Sequence, residues 1–246
     1  MGRRIVLLFL SAALLAPGGC GQSTLQEAPQ PEAVPETAEP EPPAEPVPKP
    51  DRPEEPDQED LPAPKPESDD FVLVTEYLPQ VGVDLQYAGP DNFTGQTIYD
   101  FTDAYLRYGT VRRLAQVQAA LEEIGYSLLI WDAFRPTEAQ FRLWAVCPDP
   151  VYVANPEKGY SAHSRGNTVD VTLTDLDGNT VAMPSGFDDF SSLSDRDYSD
   201  VSPEAAANAQ LLEDVMTDCG FRPYSGEWWH FTDTDDYPVE ENFSPD

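Results

Sequence analysis

The chain has 246 residues, with 45 Asp and Glu against 14 Lys and Arg, a formal net charge of -31 and only two histidines. Such acidity argues against nucleic acid as a partner and against direct docking on anionic lipid, because both present negative charge to the protein. It does not constrain a catalytic cleft, whose local field differs from the net charge, and no protein partner is implied.

The chain opens on a leader. Arg3 and Arg4 precede an apolar run from Ile5 to Ala16, too short for an ordinary membrane-spanning helix. Pro17-Gly18-Gly19-Cys20 follows. Residues 1–20 therefore resemble a bacterial lipoprotein signal, in which Cys20 becomes the lipid-modified N-terminus. A plain secretory signal is the alternative, since Pro17 stands where lipoprotein signals usually carry an aliphatic residue. Either signal predicts an extracytoplasmic protein. The lipoprotein form predicts attachment to the outer face of the bacterial cell membrane through Cys20 only. Residues 21–70 are rich in Pro, Glu, Ala and Asp and nearly free of large apolar residues. That composition predicts a disordered, extended linker. Residues 71–246 are then one domain, long enough for a real core.

Within the domain, Phe71 to Val74 and Val83 to Tyr87 read as short strands. Thr110 is placed to cap a helix running to Ile124, with Leu114, Val117, Leu121 and Ile124 on one face and Gly125 as its stop. Tyr126 to Trp131 predicts a strand that delivers Asp132-Ala133-Phe134-Arg135 at its end, and Pro136 suits the first turn of a helix to about Val146. Thr168 to Thr174 alternates polar and apolar residues, and Asp177-Gly178 offers a hairpin turn. Ser202-Pro203-Glu204 opens a helix ending near Gly220, and Phe221 to Thr232 is expected to close the domain as an aromatic strand. Segregated strands and helices predict an α+β domain: a small, mainly antiparallel sheet flanked by helices, with a metal site in a cleft. Cys147 and Cys219 either pair or remain buried thiols, and their spacing does not decide between them.

The two histidines sit in compact polar signatures, Ser161-Ala162-His163-Ser164-Arg165-Gly166-Asn167-Thr168-Val169-Asp170 and Glu227-Trp228-Trp229-His230. Two imidazoles and one carboxylate form a familiar catalytic zinc shell that leaves a position open for water. Thr168, Asp170 and Thr172 share one face of their strand and Val169, Val171 and Leu173 the other, which turns Asp170 toward a cleft. Glu227, three residues before His230, is placed to act as a base without being a ligand. In a regular strand, residues three apart face opposite ways, so this segment must bend, bulge or turn. Spacing alone leaves the metal site evenly balanced against two ordinary, satisfied histidines.

The pattern Ser-x-His-x-x-Gly-x-x-x-Asp followed by Glu-x-Trp-His resembles the zinc D-alanyl-D-alanine peptidases, and within them the VanX-type D-Ala-D-Ala dipeptidases. Asp91-Asn92-Phe93-Thr94-Gly95, Leu106-Arg107-Tyr108-Gly109-Thr110, Ile130-Trp131-Asp132-Ala133-Phe134-Arg135-Pro136 and Gly186-Phe187-Asp188-Asp189-Phe190-Ser191 carry the same resemblance. Thr168 departs from it, standing where the family usually has Ala. The resemblance implies a Zn2+ cofactor held by His163, Asp170 and His230, with Glu227 as catalytic base. It implies Arg135 as the group that steadies the oxyanion, against the alternative of a surface salt bridge. Ser161 is implied to bind the substrate carboxylate, and Asp188 or Asp189 its ammonium. The implied substrate is a small peptide ending in D-alanine: the free dipeptide, or alternatively the peptidoglycan stem cut by a D,D-carboxypeptidase. A non-catalytic lipoprotein that binds wall fragments is the rival from another class. Trp228 and Trp229 are expected in the core and cleft wall.

Overall fold

The computed structural model describes residues 65–150 and 152–245. The expectations for the leader, for Cys20 and for linker residues 21–64 lie outside the described residues. The packed chain begins slightly before Phe71. Carbonyls of Ser68 and Asp70 accept the N–H groups of Gly109 and Tyr108 at 2.9 and 2.8 Å. These are the first donors of helix α2 (Tyr108–Glu122), which have no partner inside the helix. The helix therefore starts ahead of Thr110, and no side chain caps it. Thr110 instead lies buried and donates its hydroxyl to Asp233 Oδ2 at 2.8 Å.

Strand β1 (Phe71–Leu73) runs into the short helix α1 (Val74–Tyr77) and pairs antiparallel with β3 (Tyr105–Arg107). The main sheet has the order β2-β4-β5-β7-β6, with β2 at Gly82–Val83, β4 at Tyr126–Asp132, β5 at Thr168–Asp175, β6 at Phe221–Tyr224 and β7 at Glu227–Asp233. Only the β2–β4 pair is parallel. Helices α3 (Thr137–Val146) and α4 (Pro203–Asp218) complete an α+β domain. Ser202 caps α4 as its sequence suggests, accepting Ala205 N–H at 3.1 Å.

The core is built from Leu114, Val117 and Leu121 of α2, Leu128 and Ile130 of β4, Val169, Val171 and Leu173 of β5, and Leu212 and Met216 of α4. Ile124 does not join it. The chain turns at Gly125, with φ at 89°, and leaves Ile124 51% exposed. Every residue of β5 from Thr168 to Thr174 is buried, so its polar–apolar alternation separates a cleft face from a core face and not water from protein. Cys147 and Cys219 carry free, half-buried thiols.

Two predicted strands differ from what forms. Of Val83 to Tyr87, only Val83 lies in a strand, the two-residue β2. Gln86–Ala88 is one 3-10 turn, and Tyr87 is buried there while its carbonyl takes the N–H groups of Ile98 and Tyr99. The long aromatic strand is a hairpin, β6 and β7 joined at Ser225-Gly226. Pairing runs Phe221↔Asp233, Arg222↔Thr232, Pro223↔Phe231 and then Tyr224↔Glu227. One step along β6 is thus matched by four along β7, and Trp228, Trp229 and His230 bulge out of the β6 ladder. The two tryptophans are driven into the core, 0% and 1% exposed.

Gly166 ends a 3-10 turn at Ala162–Arg165 with φ at 75°, and a Cβ there would collide with the Phe71 ring. Gly166→Ala is expected to cost about 2 kcal/mol or more, from left-handed strain and overpacking together. Urea unfolding of variant and wild type measures it.

Candidate metal centre and active site

Asp170 lies on β5 directly opposite His230 of β7, and the 3-10 turn brings His163 over the same point. His163 Nε2 is 3.3 Å from Asp170 Oδ2, His230 Nδ1 is 3.0 Å from Asp170 Oδ1, and the two ring nitrogens are 3.4 Å apart. His163 Nδ1 lies 2.8 Å from the carbonyl of Ala133. A carbonyl only accepts, so Nδ1 carries the hydrogen and Nε2 presents its lone pair to the centre, the orienting contact typical of ligating histidines. Asp170 Oδ1 is buried and makes no well-aligned hydrogen bond, in spite of the nearby imidazole. Burial acts to raise the Asp170 pKa, but His163 and then His230 outweigh it and hold the carboxyl below the usual range. Two imidazole nitrogens and a carboxylate aimed at one point, with an oxygen left over, suit a cation. Among the described residues this is the only such cluster of histidine, cysteine and carboxylate groups.

Glu227 Oε2 lies 3.4 Å from His230 Nδ1. The bulge resolves the three-residue spacing: freed from β6, the segment turns Glu227 and His230 to one side. Burial, and then the charge of Asp170, raise the Glu227 pKa to about 7. A carboxyl so placed can exchange a proton near neutral pH.

These groups line a cleft of about 360 Å³ that also includes Tyr87, Arg135, Ser161 and Asp188. Arg135 is no surface salt bridge. Its side chain is 11% exposed, its Nη2 and Nε donate to the fully buried Asp132 Oδ2 at 2.5 and 3.2 Å, and its Nη1 donates to Gln140 Oε1 at 3.0 Å. Tyr99 donates to Asp132 Oδ1 at 2.6 Å, and the Tyr87 ring lies 5.1 Å beneath the guanidinium. One hydrogen each on Nη1 and Nη2 remains for the cleft. Ser161 Oγ accepts His163 N–H at 3.3 Å, which leaves its hydroxyl hydrogen free to donate.

The structure separates the two aspartates. Asp188, left-handed at φ 50°, lines the cleft and accepts the Tyr87 hydroxyl at 2.5 Å, whereas Asp189 caps the backbone of Ser191 and lines an adjoining cavity of about 220 Å³. Burial raises the Asp188 pKa to about 7. Tyr87, Tyr99 and Asp132 were not singled out from sequence. Asp132 stands in the same short motif as Arg135 and was legible as its partner, but Tyr87 reaches the cleft from a 3-10 turn and Tyr99 reaches Asp132 from a loop, and no local pattern marks either.

Comparison with known proteins shows the family. The family model described as D-ala-D-ala dipeptidase matches residues 67–245. The D-alanyl-D-alanine dipeptidase of Escherichia coli (strain K12) is 39% identical over 165 residues, 67% of this chain and 85% of that protein. The enzyme of the same name from Streptomyces coelicolor is 36% identical over 187 residues, 66% of this chain and 91% of its own. A solved structure of VanYB in complex with D-alanine-D-alanine aligns over 54% of this chain and 73% of its own, with 17% identity and a TM-score of 0.37. The protein is a peptidase by descent. It belongs to the D-Ala-D-Ala dipeptidase family.

Asp188 also sets a pH dependence. A carboxyl whose folded pKa lies above its unfolded value stabilises the fold fully below the unfolded value, and loses that contribution as pH rises through the folded one, here about 7. With a chelator present, the stability of wild type relative to Asp188→Asn is expected to fall as pH rises from about 4 to about 8. Urea unfolding at both ends of that range checks it.

Proposed function

We propose that this chain is a zinc-dependent dipeptidase that hydrolyses free D-alanyl-D-alanine outside the cytoplasm. The observation that carries the reading is the convergence of His163, Asp170 and His230 beside Glu227, in a cleft that also holds the buried acid Asp188. Zinc on this donor set supplies Lewis acidity and a water acidic enough to act as nucleophile near neutral pH.

The chain's own groups supply the rest. Glu227, poised near neutrality, accepts the proton of the attacking water and returns it to the leaving amine. Arg135 turns its free hydrogens on the negative charge that develops at the carbonyl oxygen, and Asp132 keeps the guanidinium fixed and compensated while it waits. Ser161 donates to the substrate carboxylate, and Asp188, held by Tyr87, receives the free ammonium. That last contact favours a dipeptide over a longer peptide, whose acylated nitrogen carries no charge. Attachment through a lipid at Cys20 is part of the proposal, and it places the enzyme where dipeptide is released by wall turnover.

The test is D-alanine release by zinc-loaded protein from free D-Ala-D-Ala, beside an N-acylated peptide ending in D-Ala-D-Ala. Cleavage of the free dipeptide alone is expected. Glu227→Ala should lower kcat by about 10²- to 10⁴-fold, the usual worth of a general base. Asp188→Asn should raise KM for the free dipeptide by about 10- to 100-fold, the loss of one charged hydrogen bond. Cleavage of the acylated peptide would shift the assignment to a stem-peptide carboxypeptidase. Zinc binding with neither cleavage would leave the wall-fragment-binding lipoprotein.

A further inference from the structure

The bulge in β7 creates a backbone problem. In an antiparallel ladder, carbonyls of residues three apart point to opposite edges, and a bulge strips its residues of cross-strand partners. At the break, β6 contributes Pro223, which has no N–H to donate. Yet the carbonyls of Glu227 and His230 converge on one nitrogen: Arg196 Nη2 donates to them at 3.0 and 3.1 Å. Arg196 Nε donates to the carbonyl of Tyr224 at 2.8 Å, and its backbone N–H donates to Ser225 O at 3.4 Å, so the same residue also closes the turn before the bulge.

Arg196 does not line the cleft. Its side chain is 10% exposed, stacked 4.6 Å over the Phe231 ring, and its Nη1 donates to Glu213 Oε2 of α4 at 3.0 Å and to the Tyr198 hydroxyl at 3.3 Å. Every N–H of the guanidinium therefore has an acceptor, and the helix is tied to the bulge through one planar group. An ammonium could not span these acceptors in the same plane.

We propose that Arg196 is a positioning residue for the reaction: by holding the carbonyls of Glu227 and His230 together, it sets the base and the ligating imidazole at their working separation. The inference rests on the zinc peptidase reading above, and its test is built to fail separately from it.

The full chain is used. Wild type is first titrated with zinc against a competing chelator and assayed on free D-Ala-D-Ala; absence of both binding and turnover would sink the proposed function itself. Arg196→Gln and Glu213→Ala are then compared with wild type for zinc dissociation constant, kcat and KM, and for amide hydrogen exchange across residues 225–230 in zinc-free protein. For Arg196→Gln, zinc affinity and kcat at saturating zinc should each fall by about 10- to 100-fold, the range seen when an outer partner of a metal ligand is lost, with KM nearly unchanged. Exchange across 225–230 should quicken even without zinc, which reads the positioning independently of catalysis. Glu213→Ala leaves the arginine in place without its anchor and should show the same pattern at smaller size. An arginine that serves only stability would lower the thermal midpoint and leave zinc affinity, kcat and the exchange of 225–230 as in wild type, and that result overturns the proposal. If Arg196→Gln does not fold, Glu213→Ala carries the same criterion, and wild-type values in it overturn the proposal equally.

Discussion

Asp170 and His230 face each other across the β5–β7 ladder, and the site depends on that one pairing. It sets an acceptor oxygen and an imidazole nitrogen 3.0 Å apart in the cleft, with the Asp170 side chain almost wholly buried. A carboxylate so buried is costly unless something positive compensates it. The surrounding structure answers that cost. β5 is buried along its length, so Asp170 has little freedom to move, and His163 arrives on a turn whose glycine, Gly166, packs against Phe71 without a side chain. The first residues of the domain reinforce this. Arg107 lies over the Phe71 ring and donates to the carbonyls of Asp69 and Arg165, which binds the entry of the domain to the loop that carries His163.

A second buried charge system stands behind the first. Asp132 sits at the irregular end of β4 and accepts from Arg135 and Tyr99, with His163 Nδ1 only 3.7 Å away. Removing one partner of a buried ion pair strands the other, which makes such pairs good at holding a geometry even where their net contribution to stability is small. Here the geometry held is that of a cationic fork at the edge of a cleft. Two aromatic hydroxyls extend the same arrangement: Tyr99 holds Asp132, and Tyr87 holds Asp188. The cleft is thus lined by polar groups whose orientations are set from behind.

The strongly acidic composition acquires a local meaning in this setting. Glu227 and Asp188 share one cleft with Asp170, and burial raises both of their pKa values to about 7. Proximity to Asp170 adds to the rise in each case. Carboxyls that would be inert anions on the surface become groups able to trade a proton or pair with an ammonium. The overall charge says nothing of this, because the shift comes from desolvation inside one cavity.

The sequence by itself determined the class of the fold, the helices with their signals at Gly125 and Ser202, and the short motifs that hold His163, Asp170, Glu227, His230 and Arg135. These are local matters: hydrophobic period, turn chemistry, and residue types whose chemistry is rare enough to stand out. Tertiary structure alone decided that Phe221 to Thr232 is a bulged hairpin, because Trp228 and Trp229 gain more from the core than a continuous ladder would return. It alone chose Asp188 over Asp189 for the cleft, since which of two adjacent aspartates turns inward depends on a left-handed residue and a tyrosine a hundred positions away. Arg196 touches the site only through backbone carbonyls brought to it by folding, and carbonyls carry no mark in a sequence.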